Sequence, residues 1–523
     1  MYGQVFKNAT IVDGSGNEPY VADVGVADGL IATIGHISDK HAMDVRGQIL
    51  CPGFVDMHAH SELEVLRDPA MGAKVGQGIT SELSGNCGVG VYPAPEDDHI
   101  QKSLNEDVLG PWSDRYWPDF SAYLKRLSQT GSGTNMAFLV SHSALRCAAL
   151  LGNPNRIATE EELKMMTGLL EEAFRQGCIG FSTGLYYAPC MYADKRELLA
   201  LLKVTSSHDR LFAVHHRCEG DDVLPSLQEV LSLAKESGVR LEISHLKAIG
   251  KDNQDKVDGM LSLIEAARED GVRVTFDQYP YTYGSTSLFS LLPPDYLRLS
   301  RSDLRTVLRS KADRARMRDE MEHPQGWDSI YRLAGFGQIT PLVLEHHPEY
   351  QMLRIDEIAA ERGTDGFSAL FDILADESGI ALMADTTQSE QSLIKILKHP
   401  LMAFGTDALY AGSLCHPRSY NAAVHLLSRY GRELKVLPWK ELVRKMTFLG
   451  AQRIGMTDRG MIAEGKKADI VVFDPRTIED TATMDHPTAP VNGLTCVLVN
   501  GKRCYQEGKL TRLVAGMPFS PRT

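Results

Sequence analysis

The sequence predicts an α/β fold: a (β/α)8 TIM barrel, joined to a β-sandwich domain built from both chain ends, with an insertion before the last barrel strand. Three observations predict it. Through the middle of the chain, short apolar runs ending in polar residues or Gly alternate with amphipathic helical stretches, the rhythm of a parallel sheet. There are eight such runs, the number that closes a barrel. Both ends have a different texture, with short apolar runs and, near the N-terminus, Asp-Gly turns of the hairpin kind.

Taken in order, the apolar run at 6–12 is followed by Asp13-Gly14, and the run at 23–26 passes through Asp28-Gly29 into the run at 30–35. The same texture returns at 468–474 and 496–502. Residues 1–50 and 465–523 are therefore expected to form one composite domain around a barrel of residues 51–464. The expected barrel strands are 53–58, 79–83, 135–140, 178–182, 211–215, 240–245, 272–277 and 401–406. Helices are expected at 160–176, where Thr159 and Glu162 form a capping box, and at 225–235 and 256–268. From Asp277 to Leu401 the chain runs about 120 residues where a barrel unit needs roughly 30. An insertion at 293–384 accounts for the excess, including a charge-dense helix at 311–322. It is either a packing appendage or a lid over the barrel mouth.

Composition narrows the function. Lys and Arg number 55 and Asp and Glu 68, for a net charge of −13, with 43% hydrophobic residues. These are the values of a folded globular chain. The acidic balance argues against nucleic acid as a partner, since phosphate binding needs a basic face. No run of about 18 apolar residues is present to span a membrane. The N-terminal residues show no basic segment followed by an apolar one, so a cytoplasmic location is expected. The nine cysteines would then be reduced, and a Cys beside His-rich strand ends is expected to act as a ligand or nucleophile.

Barrel chemistry sits at the C-terminal strand ends. The first expected strand ends in His58-Ala59-His60, and residues i and i+2 of a strand share a face, so both imidazoles can address one metal. The second leads to Asn86-Cys87-Gly88, the fifth ends in His215-His216-Arg217, the sixth in His245-Leu246-Lys247, and the eighth in Thr406-Asp407. Each signal is weak alone. A barrel brings all of them to one rim, which predicts a metal centre.

The segment from Pro52 through His58-Ala59-His60 resembles the opening motif of the amidohydrolase superfamily. Ser84-Gly85-Asn86-Cys87-Gly88, Gly180-Phe181-Ser182-Thr183-Gly184, His215-His216-Arg217 and Ser244-His245-Leu246-Lys247 resemble its D-aminoacylase branch, the N-acyl-D-amino-acid deacylases. So do Tyr279-Pro280-Tyr281 with Gly284-Ser285-Thr286, and His416-Pro417-Arg418. No Lys follows the strand at 178–182, where hydantoinases and dihydroorotases carry a carboxylated one. The resemblance implies one tightly held Zn²⁺ on Cys87, His215 and His245, a set whose softness suits that ion. His58, His60 and Asp407 would border a second, weaker metal position, with Cys87 able to bridge. Asp407 would carry the proton between the attacking water and the leaving amine. Arg418, Lys247 and Tyr279 would hold the α-carboxylate of an N-acyl amino acid, with a hydrogen bond from Ser285. No basic residue lies between Gly284 and Arg298, which favours neutral or hydrophobic side chains. The D preference comes from the resemblance alone. Two other readings remain: a cyclic-amide or dipeptide hydrolase of the same superfamily, and a non-catalytic barrel used in binding or assembly.

Overall fold

A computed structural model describes residues 2–112, 116–377, 379–412 and 414–521; residues 1, 522 and 523, the outermost ends of the expected composite domain, lie outside the described residues. Eight parallel strands follow one another around the barrel in chain order. They are β1 Phe54–Ala59, β2 Ile79–Ser84, β3 Asn135–Ser141, β4 Gly180–Gly184, β5 Leu211–His215, β6 Arg240–Ile243, β7 Val274–Gln278 and β8 Met402–Phe404. Nearly all their residues are buried, polar ones included, as in parallel strands covered on both faces by helices. The outer helices include Glu160–Arg175, with the Thr159/Glu162 capping box formed, Val223–Ser237 and Lys256–Glu269.

The ring is joined between β8 and β1. The Asp407 N–H donates to the His58 carbonyl at 2.8 Å, and Ala59 and Ala408 form a parallel bridge. Asp56 accepts the Thr406 N–H at 2.8 Å and the Thr406 hydroxyl at 2.6 Å, and pairs with the buried Lys74 ammonium. The last strand is three residues long, shorter than the expected 401–406. The backbone at Gly405 approaches β1 and β7 closely: a Cβ there would lie 2.8 Å from the His58 Cβ and 3.0 Å from an Asp277 carboxylate oxygen.

Strands from both ends share one nine-stranded sheet. Its middle strand, Ile49–Pro52, runs antiparallel to Ile470–Phe473 and parallel to Gln4–Ile11. The strand period of two divides its residues. Leu50, Ile470 and Val472 face a core shared with Phe6, Ile31 and Leu498, while Ile49, Cys51, Val471 and Phe473 join the barrel core. The long excursion between β7 and β8 opens at Tyr283–Ser287, ahead of residue 293. That strand and Ile339–Val343 flank Leu382–Thr386 in an antiparallel sheet. With helices such as Arg301–Arg309, Lys311–Glu322 and Gly366–Asp376, the excursion encloses its own apolar core, from Leu288 to Met383. Among the described residues, no helix is long and apolar enough to cross a membrane.

Lys445, on the helix Trp439–Met446, is buried and donates to the His399 carbonyl. Burial, with Arg444 and Arg453 nearby, lowers its pKa to about 7. The unfolded chain holds that proton to a higher pH, so protonation favours unfolding between the two values, and the penalty fades as pH rises from 7 toward 10.5. Lys445→Met is therefore expected to raise the unfolding free energy by on the order of 2 kcal/mol at pH 7. The gain over wild type should shrink in chemical denaturation at pH 10. A gain that grows with pH would contradict the assignment.

Candidate metal centre

The strand ends bring the expected ligands together. The Cys87 sulfur lies 3.5 Å from His245 Nε2, 3.9 Å from His215 Nδ1 and 3.2 Å from His58 Nε2. A tetrahedral zinc with Zn–S of ~2.3 Å and Zn–N of ~2.1 Å sets sulfur and nitrogen roughly 3.6 Å apart. Cys87, His215 and His245 therefore fit that ion in spacing as well as in donor chemistry. Two more groupings share the same space: His58, His60 and Cys87, and His58, His245 and Asp407. Asp407 Oδ1 lies 3.2 Å from His60 Nε2 and 3.5 Å from His58 Nε2. His216 turns away, as strand alternation requires, and its Nδ1 meets the Ser226 hydroxyl at 3.1 Å.

Three of these side chains stand on left-handed backbone, which non-glycine residues seldom adopt: Cys87 at φ 54°, His245 at φ 35° and Asp407 at φ 51°. Local hydrogen bonds secure them. The His245 N–H donates to Asp277 Oδ1 at 2.9 Å, and the N–H of Gly88 donates to the Ser182 hydroxyl at 3.1 Å. Such strain concentrates where surrounding structure holds functional groups in place.

The electrostatics suit a cation. Burial, then Lys247 and the neighbouring imidazoles, keep His245 well below the usual imidazole range; burial and the same cationic surroundings do so for His215 against the pull of Glu219. Both rings are then neutral, with lone pairs available to a metal. Burial pushes the Cys87 thiol up against the pull of His58. Burial would raise Asp407 as well, but Arg418, His58 and His60 hold its carboxyl well below the usual range.

The expected carboxylate-binding residues lie beside this cluster. Arg418, fully buried, meets Asp407 Oδ2 at 3.0 Å through Nη2, and its guanidinium lies 4.7 Å from the Tyr279 ring centre. It also donates to the Ser285 carbonyl at 3.1 Å, while the buried Ser285 hydroxyl has no partner among the described residues. The Tyr279 hydroxyl accepts from Gln388 at 3.3 Å. Lys247 is already engaged: its ammonium lies 2.5 Å from Glu219 Oε1 and 2.9 Å from His245 Nδ1.

A sequence model described as the amidohydrolase family matches residues 41–289 and 341–505. This chain belongs to the amidohydrolase family. It is 35% identical to a D-aminoacylase of Alcaligenes xylosoxydans xylosoxydans over 98% of this chain and 96% of that one, and 33% identical to an N-acyl-D-glutamate deacylase of the same organism over 99% and 98%. Among solved structures, it matches an N-acyl-D-glutamate deacylase from Bordetella bronchiseptica, complexed with zinc and a phosphonate mimic of the tetrahedral intermediate. The TM-score is 0.84 at 31% identity, over 99% of each chain. It also matches a D-aminoacylase studied for its binuclear metal centre, with TM-score 0.86 at 30% identity over both whole chains.

Two orienting residues of this amidohydrolase escaped the sequence reading. Asp277, at the end of β7, accepts from His58 Nδ1 at 3.1 Å and so turns His58 Nε2 toward Cys87 and Asp407. Its signal was present, since it ends a strand as the named ligands do. Glu219 faces the outer nitrogens of both rings, 3.2 Å from His245 Nδ1 and 3.7 Å from His215 Nε2. It lies in the loop after β5, where no sequence spacing points to it. A carboxylate placed as Asp277 is on His58 fixes the tautomer and raises ligand basicity.

Proposed function

We propose that this protein is a zinc-dependent deacylase that hydrolyses the amide bond of N-acyl-D-amino acids, releasing a carboxylate and a free D-amino acid with a neutral or hydrophobic side chain. The observation that carries the reading is the Asp407–Arg418 pair set against the Cys87, His215 and His245 donor set. A proton carrier and a carboxylate receptor thereby flank one metal position. The activities named for the relatives point the same way.

Cys87, His215 and His245 would hold a zinc ion, which would supply Lewis acidity and lower the pKa of a water. His58, His60 and Asp407 border a second, weaker position. Asp407 accepts a proton from the attacking water at Oδ1, as the water oxygen bonds to the acyl carbon. It then passes that proton to the amide nitrogen as the C–N bond breaks. Arg418 leaves Asp407 Oδ2 to receive the substrate α-carboxylate in a two-pronged contact, held in plane by Tyr279. The Ser285 hydroxyl, unpartnered among the described residues, and the positive charge of Lys247 add to it. The cavity beyond the metal position is walled by Leu104, Val108, Phe289, Leu297 and Leu299, which suits an apolar substituent. All nine cysteines are unpaired and buried, which suits a reducing compartment such as the cytoplasm.

The test is a panel of N-acetyl-D-methionine, N-acetyl-L-methionine and a hydantoin with the zinc-loaded protein. Turnover of the D-acyl substrate alone is expected; turnover of the hydantoin alone would reject the reading. Arg418→Lys is expected to raise KM for N-acetyl-D-methionine by roughly 10–100-fold, because an ammonium cannot reproduce the guanidinium fork. KM for the corresponding amide, which lacks the carboxylate, should move far less. Equal shifts would remove Arg418 as the carboxylate receptor.

A further inference from the structure

The cavity that holds His60, Cys87 and Asp407 extends between the helix His99–Leu109 and the long insertion. Its far wall mixes apolar side chains with neutral polar ones such as Ser103, Asn105 and Ser290, and carries two charged side chains, Asp107 and Arg301. Arg301 is the one Lys or Arg among the described residues that line it. It opens the helix Arg301–Arg309, and its guanidinium lies 3.6 Å from the Phe289 ring centre. Its Nη2 donates to Asp107 Oδ2 at 3.2 Å, while its buried Nε has no partner among the described residues. Asp107 is 6% exposed and accepts two further bonds from the insertion, the Ser287 hydroxyl at 2.5 Å and the Ala381 N–H at 3.3 Å.

We propose that Asp107 is a specificity-determining residue: by neutralising Arg301 in the cavity wall, it excludes substrate substituents that end in a carboxylate and admits uncharged ones. The inference rests on the deacylase reading and refines its substrate class. A guanidinium alone in an apolar wall would recruit a carboxylate strongly, because such pairs form charge-assisted hydrogen bonds away from water. Here Asp107 already takes that place. A second carboxylate reaching Arg301 would meet the Asp107 oxygens, and like charges in a desolvated site are strongly disfavoured. The free Nε–H can still serve an uncharged acceptor, such as an amide carbonyl. The apolar stretch at 284–297 therefore gives only part of the selectivity. A cation does reach the cavity from residue 301, and its effect is cancelled by an acid from another part of the barrel.

The test uses two matched substrate pairs with the zinc-loaded full chain: N-acetyl-D-glutamine against N-acetyl-D-glutamate, and N-succinamoyl-D-methionine against N-succinyl-D-methionine. Each pair differs only in the charge at the end of one substituent. For the pair whose substituent enters the cavity, wild-type kcat/KM is expected to favour the neutral member by roughly 100-fold. Asp107→Asn should narrow that ratio to about tenfold or less by unmasking Arg301, and Asp107→Asn with Arg301→Gln should reverse the gain. Asp107 also fastens the insertion, so Arg301→Met provides a second probe: it leaves Asp107 uncompensated and should widen the ratio. Near-equal turnover within both pairs by wild type, or a ratio unmoved by these substitutions, would overturn the charge filter alone. Failure of wild type to hydrolyse either neutral substrate would overturn the deacylase reading and this inference with it.

Discussion

Asp407→Asn is expected to lower kcat by about 10³–10⁴-fold while the protein keeps its zinc. The substitution preserves shape and one carbonyl acceptor but removes the carboxylate proposed to accept and return a proton. Asp407 is suited to that task because Arg418, His58 and His60 overcome burial and keep it ionised. Its φ of 51° makes Asn the mildest replacement, since Asn tolerates left-handed backbone better than most residues. Arg418 loses its partner in the free enzyme, so substrate binding should not weaken in step with turnover. Steady-state kinetics and metal content on one preparation decide the matter. More than a tenth of wild-type kcat with full metal would take the proton-carrying role away from Asp407.

Cys87→Ala is expected to cost the protein its metal. The Cys87 sulfur lies near His58, His215 and His245 at once, at 3.2, 3.9 and 3.5 Å. Without the sulfur, two neutral imidazoles remain to hold the primary ion. Loss of an orienting partner alone weakens metal binding 10–100-fold, so loss of a ligand should weaken it by at least ~100-fold. Zinc titration of the apo-protein, followed by a fluorescent chelator, measures the change, and turnover should return only at high metal. A full equivalent of zinc retained after dialysis would remove Cys87 from the ligand set.

Much of this site was legible in the sequence because a parallel barrel converts strand order into position. Once eight apolar runs are found, their last residues must share one rim, and His58, Cys87, His215, His245 and Asp407 meet there. Residues whose placement depends on loops were not legible. Glu219 gains its role when the segment after β5 returns beneath two imidazoles, which no local pattern records. The start of the insertion was placed late because Tyr283–Ser287 is a polar strand formed by pairing with Leu382–Thr386, without an alternating apolar pattern. The Asp107–Arg301 contact joins positions 194 apart in sequence, so neither residue announces the other.

The shared terminal sheet has a consequence for how the chain is made. Ile49–Pro52 leaves the ribosome more than four hundred residues ahead of its partner Ile470–Phe473. At ~5–20 residues per second, that leaves roughly 20–80 s in which a strand with one bare edge must wait. Nascent chains stalled in this interval would expose an adhesive border, so chaperone capture during translation should concentrate on the segment around Ile49–Pro52 and fall away once Ile470–Phe473 is released.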